Sequence, residues 1–548
     1  MSGLTMADAP QTVFGMFQRS AIRGGDLPFL VWSRCADRSY LPEGLEVTYR
    51  QAAAEISRVA EIYRSAGYGP GQRVAVVLGN QPEYFWHFLA LNSLGACAVP
   101  VNPDYLAHEF THAFRQAEVS LVVAATEDFA ALEIAAAAVG YPLSVARALD
   151  EELPAPAIAA HACPDAPLDR PALIIYTSGT TSRPKGCLVS NGSCLASGQS
   201  YADVGGLLTL HDRERLYVPL PTFHMNATVL ALNAMLLTGG CLITTDRFRA
   251  STWWEEIRSS KATGVHYLGL IPPILLKAPD ADGDRAHMVR FGLGAGVDPT
   301  IHAGFEERFG FPLIECWGMT ETSRLIANAH EPREVHTRAF GRPHPPWEVR
   351  VADEDGKPVK NGEAGALLVR CGGADPRAGF FSAYVNDPEA TEKAWTAGWF
   401  QTGDVVKQGA DGMLYFVERR KNIIRRSGEN IAVAEIEEVI IMDPAVSGVA
   451  VVAVADDLRD EEPLAFIVPS GRADPDEGLA TAIFTRAKNR LANHKLPGWI
   501  QFVDEIPVTP TQKVRKDMLL ANFHAEQDGV TFDLRPQKAR TKATRKAG

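Results

Sequence analysis

Ile174-Ile175-Tyr176-Thr177-Ser178-Gly179-Thr180-Thr181-Ser182-Arg183-Pro184-Lys185-Gly186 decides how the rest of the chain is read. An apolar run ends in this string, and hydroxyls then gather at 177, 178, 180, 181 and 182, beside backbone amides freed by Gly179 and Gly186 and the cation of Lys185. So many donors in one loop suit a polyanion, and the chemistry is that of holding ATP phosphates. A Ser/Thr-rich turn that binds nothing would account for four or five such residues, but not for the whole string. The spacing approaches the GxxxxGK[ST] phosphate loop, yet Pro184 stands where its second glycine belongs and Gly186 where its Ser or Thr belongs. A Walker-type NTPase is therefore disfavoured. Downstream, Gly292-Leu293-Gly294-Ala295-Gly296-Val297 lacks the last glycine of a dinucleotide fingerprint, so it is not read as an NAD site.

Around this loop the pattern is α/β. Apolar positions at helical spacing run through 51–66 and end at Gly67 and Gly69-Pro70. A strand over 74–78, a helix over 82–94, a strand over 96–101, a helix over 106–116 and a strand over 121–125 follow, which predicts parallel βαβ layers. A second such series runs from Leu173 to about Trp317. From Phe340 the texture shifts to short, turn-rich segments, as in Asp353-Glu354-Asp355-Gly356, which predicts the hairpins of a small β subdomain. After the cationic cluster Arg419, Arg420, Lys421, Arg425 and Arg426 a fresh α/β series begins, with helices over 434–442 and 478–492 and strands over 449–454, 464–468 and near Phe502. The expected organisation is a large N-terminal domain over 1–420, a small mobile α+β domain over 421–534 and a disordered basic tail over 535–548.

Composition narrows the class. The 548 residues are 46% hydrophobic, enough for more than one core, and the net charge of −12 argues against a protein that coats nucleic acid or anionic membrane. Eight cysteines without a CxxC pair give no zinc site or disulfide framework and point to a reducing cytoplasm. The first residues carry no signal-peptide pattern. The uncharged stretch 219–245 is long enough to question, but Pro219, Pro221, His224, Asn226, Asn233 and Gly239-Gly240 fit a buried helix followed by a core strand rather than a membrane span.

Four further strings occur in order: Glu315-Cys316-Trp317-Gly318-Met319-Thr320-Glu321-Thr322, Gly398-Trp399-Phe400-Gln401-Thr402-Gly403-Asp404, the segment 416–437, and 507–513 ending in Lys513. Together with the phosphate loop they resemble the signature motifs of the adenylate-forming (AMP-binding) superfamily, which contains acyl-CoA synthetases, peptide-synthetase adenylation domains and luciferases. The resemblance covers nearly the whole chain. It implies an acid:CoA ligase that uses ATP and Mg²⁺ to make an acyl-AMP, passes the acyl group to the thiol of coenzyme A, and releases AMP and pyrophosphate. The strings around Glu418–Asn430 and Thr511–Lys516 look most like the carnitine/crotonobetaine-CoA ligase branch.

The resemblance also implies a role for each matching residue. Thr177, Ser178, Gly179, Thr180, Thr181 and Lys185 hold phosphates. Glu321 supplies a carboxylate to Mg²⁺. Trp317 stacks on adenine, with Gly294, Ala295, Gly296, Glu315, Cys316, Gly318, Met319 and Thr320 lining the same nucleotide. Asp404 accepts the ribose hydroxyls and Arg419 assists. His224 stands at the acyl pocket, and Lys513 reaches the reacting carboxylate and α-phosphate. Gly428 borders the pantetheine path after the C-terminal domain turns about Lys421. Several have a plainer reading: Glu321 as an ordinary surface carboxylate, Trp317 as core, Asp404 as the cap of its own turn, Arg419 as a solvated cation and His224 as a structural histidine. Gln512 replaces the glycine the family usually has before this lysine, Asn422 stands where Asp or Glu is common, and Val433 where Pro is frequent. The small, apolar composition around 224–228, 269–272, 294–297 and 316–325 favours a medium-sized aliphatic, cyclic or aromatic acid. A ligase that loads a carrier-protein thiol, an adenylating oxygenase and a non-catalytic nucleotide sensor are the rival readings. The partners expected are a small carboxylic acid, ATP and CoA, not nucleic acid, and a homodimer is left open.

Overall fold

The computed structural model of the protein describes residues 9–125, 129–177, 184–419, 423–426, 429–456, 459–471, 474–491, 493, 495–508, 514–521, 523 and 530–539. Two large sheets carry the first 330 residues. The first runs, edge to edge, Ala383–Tyr384, Lys185–Ser190, Pro171–Thr177, Cys97–Pro100, Arg73–Val77, Leu121–Ala124 and Val145–Arg147. Its middle is parallel, as the alternation of strand and helix predicts, but Pro171–Thr177 and Lys185–Ser190 pair antiparallel. The second runs Leu325–Ala327, Leu313–Gly318, Phe291–Ala295, Gly264–Leu268, Arg215–Val218, Cys241–Thr244, Pro28–Trp32 and Leu45–Thr48.

Between them lie the helices Tyr49–Ser65, Pro82–Ser93, Asn191–Asp203 and Leu232–Thr238, whose buried side chains share one apolar cluster with both sheets. Helix Tyr49–Ser65 starts where a capping box stops the chain from fraying: Thr48 Oγ1 accepts from the Gln51 amide, and the Gln51 side chain accepts from the Thr48 amide. The uncharged stretch folds as a helix and then a core strand, but its first turn, Asn226–Ala231, is a π-helix. Asn233 makes this turn tolerable, because its buried amide donates to the carbonyls of Thr228 (3.1 Å) and Val229 (2.9 Å).

The small β subdomain is antiparallel, in the order Ala339–Gly341, Leu414–Arg419, Trp399–Gln408, Ala364–Cys371 and Trp347–Ala352. A fourth sheet holds the C-terminal unit, where Asp460–Pro469 lies between Ile423–Arg426 and the parallel strand Trp499–Phe502 and also pairs with Val446–Asp456. Helices Val433–Ile441 and Glu477–Lys488 cover it and share its core. The expected disordered tail begins too early at residue 535. Arg535–Ala539 is a short helix, and Lys538, 3% exposed, is drawn into the core by Glu462. Among the described residues no helix is long and apolar enough to cross a membrane.

Candidate active site

The antiparallel pair Pro171–Thr177 and Lys185–Ser190 makes the phosphate loop a hairpin. Thr177 stands opposite Lys185 in the register, and its hydroxyl donates to the Lys185 carbonyl at 3.3 Å. Walker loops run from strand into helix, so this placement differs from theirs in topology as well as in sequence. Ser178, Gly179, Thr180 and Thr181 lie outside the described residues. Lys185 Nζ sits 3.4 Å from the Asp387 carboxylate and 5.1 Å from the centre of the Tyr384 ring.

Glu321 lies in the turn after strand Leu313–Gly318 and is 6% exposed. Its Oε1 accepts from the Tyr384 hydroxyl at 2.9 Å. The turn itself is tied to the segment before Tyr384, since the Phe381 amide donates to the Glu321 carbonyl (2.8 Å) and the Arg324 guanidinium to the Ala378 carbonyl (2.7 Å). Burial pushes the Glu321 carboxyl above its ordinary value; the Tyr384 hydrogen bond and the charge of Arg419 pull the other way, and the charge of Asp404 adds to the rise. Cys187, packed between Thr177 and Glu321, is held as a thiol by burial and then by the Glu321 charge.

Asp404 is 1% exposed and has two cationic or polar neighbours. Trp317 Nε1–H donates to Oδ2 at 2.8 Å, and Arg419 Nε lies 3.0 Å from Oδ1 across the register pair Asp404 and Arg419. A carboxylate offers about four lone-pair directions, so acceptor capacity remains for hydroxyls. Trp317 is sunk among Phe340 and Trp347 at 7% exposure. Its plainer reading as core therefore describes the ring, while the indole N–H fixes the Asp404 carboxylate.

Glycine at 294 answers to packing inside the protein, because a Cβ there would meet the Tyr267 carbonyl at 2.3 Å and its ring at 2.5 Å. Ala295 and Gly296, at the end of that strand, are exposed, and Gly296 uses φ +86°. Glu315 fixes this corner: its carboxylate accepts from the Gly296 amide (2.8 Å), the Val297 amide (3.2 Å) and the Tyr267 hydroxyl (2.8 Å). Cys316 pairs with Ala327 and Gly318 with Leu325, and the Met319 carbonyl accepts from the Thr322 amide to shape the turn that carries Thr320 and Glu321.

On the acyl side, the His224 amide donates to the Pro221 carbonyl at 3.1 Å and its ring meets Phe223 edge-on at 4.7 Å. Two residues on, Asn226 opens the π turn and its Oδ1 lies 2.6 Å from His266 Nδ1; the other ring nitrogen lies 2.9 Å from the Tyr201 hydroxyl. Burial lowers the His266 pKa to about 3, so the ring is neutral, with Tyr201 donating to Nε2 and Nδ1–H donating to Asn226. Lys421, Gln512, Lys513 and Gly428 lie outside the described residues. Sequence reasoning passed over Tyr384, Tyr267 and His266. The one available signal was Asn386-Asp387-Pro388-Glu389, a helix start in which Asp387 caps the Ala390 amide, with Tyr384 just before it.

Two family models match: AMP-binding enzyme over residues 17–374 and the AMP-binding enzyme C-terminal domain over residues 435–513. The chain belongs to the AMP-binding enzyme family. Within that family it is 30% identical over 515 residues to the crotonobetaine/carnitine–CoA ligase of Salmonella heidelberg (strain SL476), covering 90% of this chain and 96% of that protein. ATP-bound MatB from Rhodopseudomonas palustris shares the fold with a TM-score of 0.78 and 25% identity, over 93% of this chain and 98% of that one. The Mycobacterium tuberculosis fatty acyl CoA synthetase does so with a TM-score of 0.71 and 26% identity, over 94% and 99%. The mixed α/β fold, with large N-terminal sheets and a smaller C-terminal unit, is that of these AMP-binding enzymes.

Proposed function

We propose that this protein is an ATP-dependent acid:CoA ligase, which joins a small carboxylic acid to AMP and then transfers the acyl group to coenzyme A, releasing AMP and pyrophosphate. The observation that carries the reading is the pair of buried carboxylates, Glu321 and Asp404, close enough for the charge of one to act on the other, with Glu321 joined through Tyr384 to the hairpin strand Lys185–Ser190. Asp404 has its own cation in Arg419. Glu321 has a hydroxyl, and among the described residues no cation lies within ion-pair distance of it. A carboxylate taken out of water in this way favours an external positive charge.

Mg²⁺ fits that demand. Among the described residues no three His, Cys, Asp or Glu side chains gather into a cage, and Mg²⁺ is ordinarily held by one or two carboxylates together with phosphate oxygens. Once bound, the ion would neutralise phosphate charge where an anionic carboxylate must approach. The chain's own groups do the rest. Thr177 and Lys185 hold phosphate oxygens at the hairpin, Asp404 accepts ribose hydroxyls with its carboxylate locked by Trp317 and Arg419, and the Glu315-bound corner at Ala295 and Gly296 receives the base. His224 borders the acid. In this reading residues 1–420 form the adenylating unit. Lys513, from the C-terminal unit, neutralises charge in the first step and withdraws in the second, when that unit turns about Lys421 and brings Gly428 to the pantetheine. All eight cysteines are free, which supports a cytoplasmic home.

The likeness to a crotonobetaine/carnitine–CoA ligase supports a small or medium acid and sets the panel to try first. The test is acid-dependent release of AMP and pyrophosphate by the purified protein with ATP and Mg²⁺, with and without CoA. Acid-dependent AMP and a CoA thioester are expected. ATP binding without acid-dependent AMP would favour the nucleotide sensor, and adenylate formation with no transfer to CoA would favour a carrier-protein ligase.

A further inference from the structure

Tyr384 touches both halves of the phosphate-handling site. Its hydroxyl donates to Glu321 Oε1 at 2.9 Å, and its ring lies under Lys185 Nζ at 5.1 Å. It is held in that place from several directions. Strand Ala383–Tyr384 pairs with the hairpin strand, Tyr384 opposite Cys187, and the Ser382 and Val385 amides donate to the carbonyls of Leu188 (2.7 Å) and Gly186 (2.8 Å) on either side. The Tyr384 amide donates to the hydroxyl of Thr391, which is 6% exposed in helix Pro388–Lys393. That helix begins at Asp387, the partner of Lys185.

From this arrangement we infer that Tyr384 is a positioning residue: its hydroxyl fixes the rotamer of the Glu321 carboxylate relative to the phosphate hairpin, while its ring supports Lys185. The inference rests on the reading of Glu321 as the Mg²⁺ carboxylate. With Oε1 held by the hydroxyl, the Glu321 carboxylate is already oriented relative to Thr177 and Lys185, and an incoming cation would meet it in one set rotamer. A free Glu side chain would have to be frozen each time, and removing that cost is what preorganisation does. Phe at 384 keeps the ring and its strand contacts and deletes only the hydroxyl.

The test is calorimetric ATP binding across a Mg²⁺ titration, alongside steady-state kinetics, for the wild type, Tyr384→Phe, Glu321→Gln and the double variant. In Tyr384→Phe the half-saturating Mg²⁺ concentration rises about tenfold, the size expected from one lost hydrogen bond to a charged acceptor. ATP affinity in EDTA stays as in the wild type, and kcat at saturating Mg²⁺ falls by no more than about twofold, since the geometry is still attainable. In the Glu321→Gln background the second substitution adds nothing to the Mg²⁺ shift. Wild-type Mg²⁺ dependence in Tyr384→Phe, with the dependence lost in Glu321→Gln, overturns the role of Tyr384 alone. Wild-type Mg²⁺ dependence in Glu321→Gln overturns the reading of Glu321, and the inference with it. A Tyr384→Phe protein that loses ATP affinity in EDTA as strongly as in Mg²⁺ assigns the residue to general packing and also overturns it.

Discussion

Glu321 and Glu462 are both buried glutamates, at 6% and 0% exposure, and they are treated in opposite ways. Glu462, in the C-terminal unit, is neutralised from within: Arg426 Nε donates to Oε2 at 2.7 Å, and the Lys538 ammonium donates to Oε1. Glu321, in the N-terminal part of the chain, is given a hydroxyl at 2.9 Å, and the arginine that acts on it does so at longer range. The first carboxylate closes a structure by tying the helix Arg535–Ala539 and the strand Ile423–Arg426 to the central strand of the sheet. The second has no cation at ion-pair distance among the described residues, which is the feature the proposed Mg²⁺ role draws on. Burial alone does not separate a structural carboxylate from a functional one, whereas the number and sign of its partners do.

The largest effect is expected at Glu462. Glu462→Ala strands two buried cations and should destabilise the C-terminal unit by about 3–5 kcal/mol. Thermal unfolding would show that loss as a lower first transition, while ATP binding to the large unit persists; an unchanged melt would mean that the trio is not a structural closure. Lys513→Ala tests whether a cation from the C-terminal unit serves the first half-reaction. Adenylate formation should slow by the equivalent of about 3–4 kcal/mol, while thioester formation from supplied acyl-AMP and CoA is spared. Gly428→Leu should reverse this, blocking the thioester step and sparing ATP–pyrophosphate exchange. Equal failure of both variants in both half-reactions, in single-turnover assays, would contradict domain alternation.

Asp404 stands between the two extremes, paired with Arg419 and, in the proposed function, an acceptor for the ribose hydroxyls. Asp404→Ala should raise the KM for ATP about ten- to a hundredfold through the loss of charge-assisted contacts; an unaltered KM would make it a cap of its own turn. The smallest effect concerns Glu306, which follows the internally neutralised pattern. Burial opposes its ionisation, but the Arg333 guanidinium, at 2.7 Å and 2.8 Å, and His302 bring its pKa down to about 2 from an ordinary 4.5. A lowered carboxylate pKa stabilises the fold fully above the unfolded value and loses that contribution as pH falls through the folded one. The gap in melting temperature between wild type and Glu306→Gln should therefore be full at pH 7 and close between about pH 4.5 and 2; a gap independent of pH would contradict the pairing.

Much of this was legible in the chain because it is local. The helix at Tyr49–Ser65, the strands at 73–77, 97–100 and 121–124 and the hairpins after Phe340 all rest on periodicity, caps or turns within a few residues. The C-terminal series appears close to its expected bounds, with Val433–Ile441 for 434–442 and Glu477–Lys488 for 478–492. What sequence did not disclose are pairings across distance. Tyr384 and Glu321 are 63 residues apart, Tyr201 and His266 are 65 apart, and Lys538 and Glu462 are 76 apart. Lys538 misled for a definite reason: six basic residues after residue 534 look like a solvated tail until the buried partner of one of them is seen. The π turn at Asn226 is equally silent, because the amide that satisfies it lies a turn later at Asn233.

The most direct measurement is acid-dependent ATP–pyrophosphate exchange as a function of Mg²⁺ in wild type and Glu321→Gln, followed with the melting temperature of each apo protein at pH 7. Because burial raises the Glu321 carboxyl pKa, ionising it costs the fold stability as pH rises above the ordinary carboxylate range, and glutamine removes that cost. The expected Glu321→Gln protein is at least as stable as the wild type but loses about a hundredfold or more in exchange and most of its response to Mg²⁺. A variant that exchanges pyrophosphate with wild-type rate and Mg²⁺ dependence, or that loses activity only because it unfolds, would contradict the reading of Glu321.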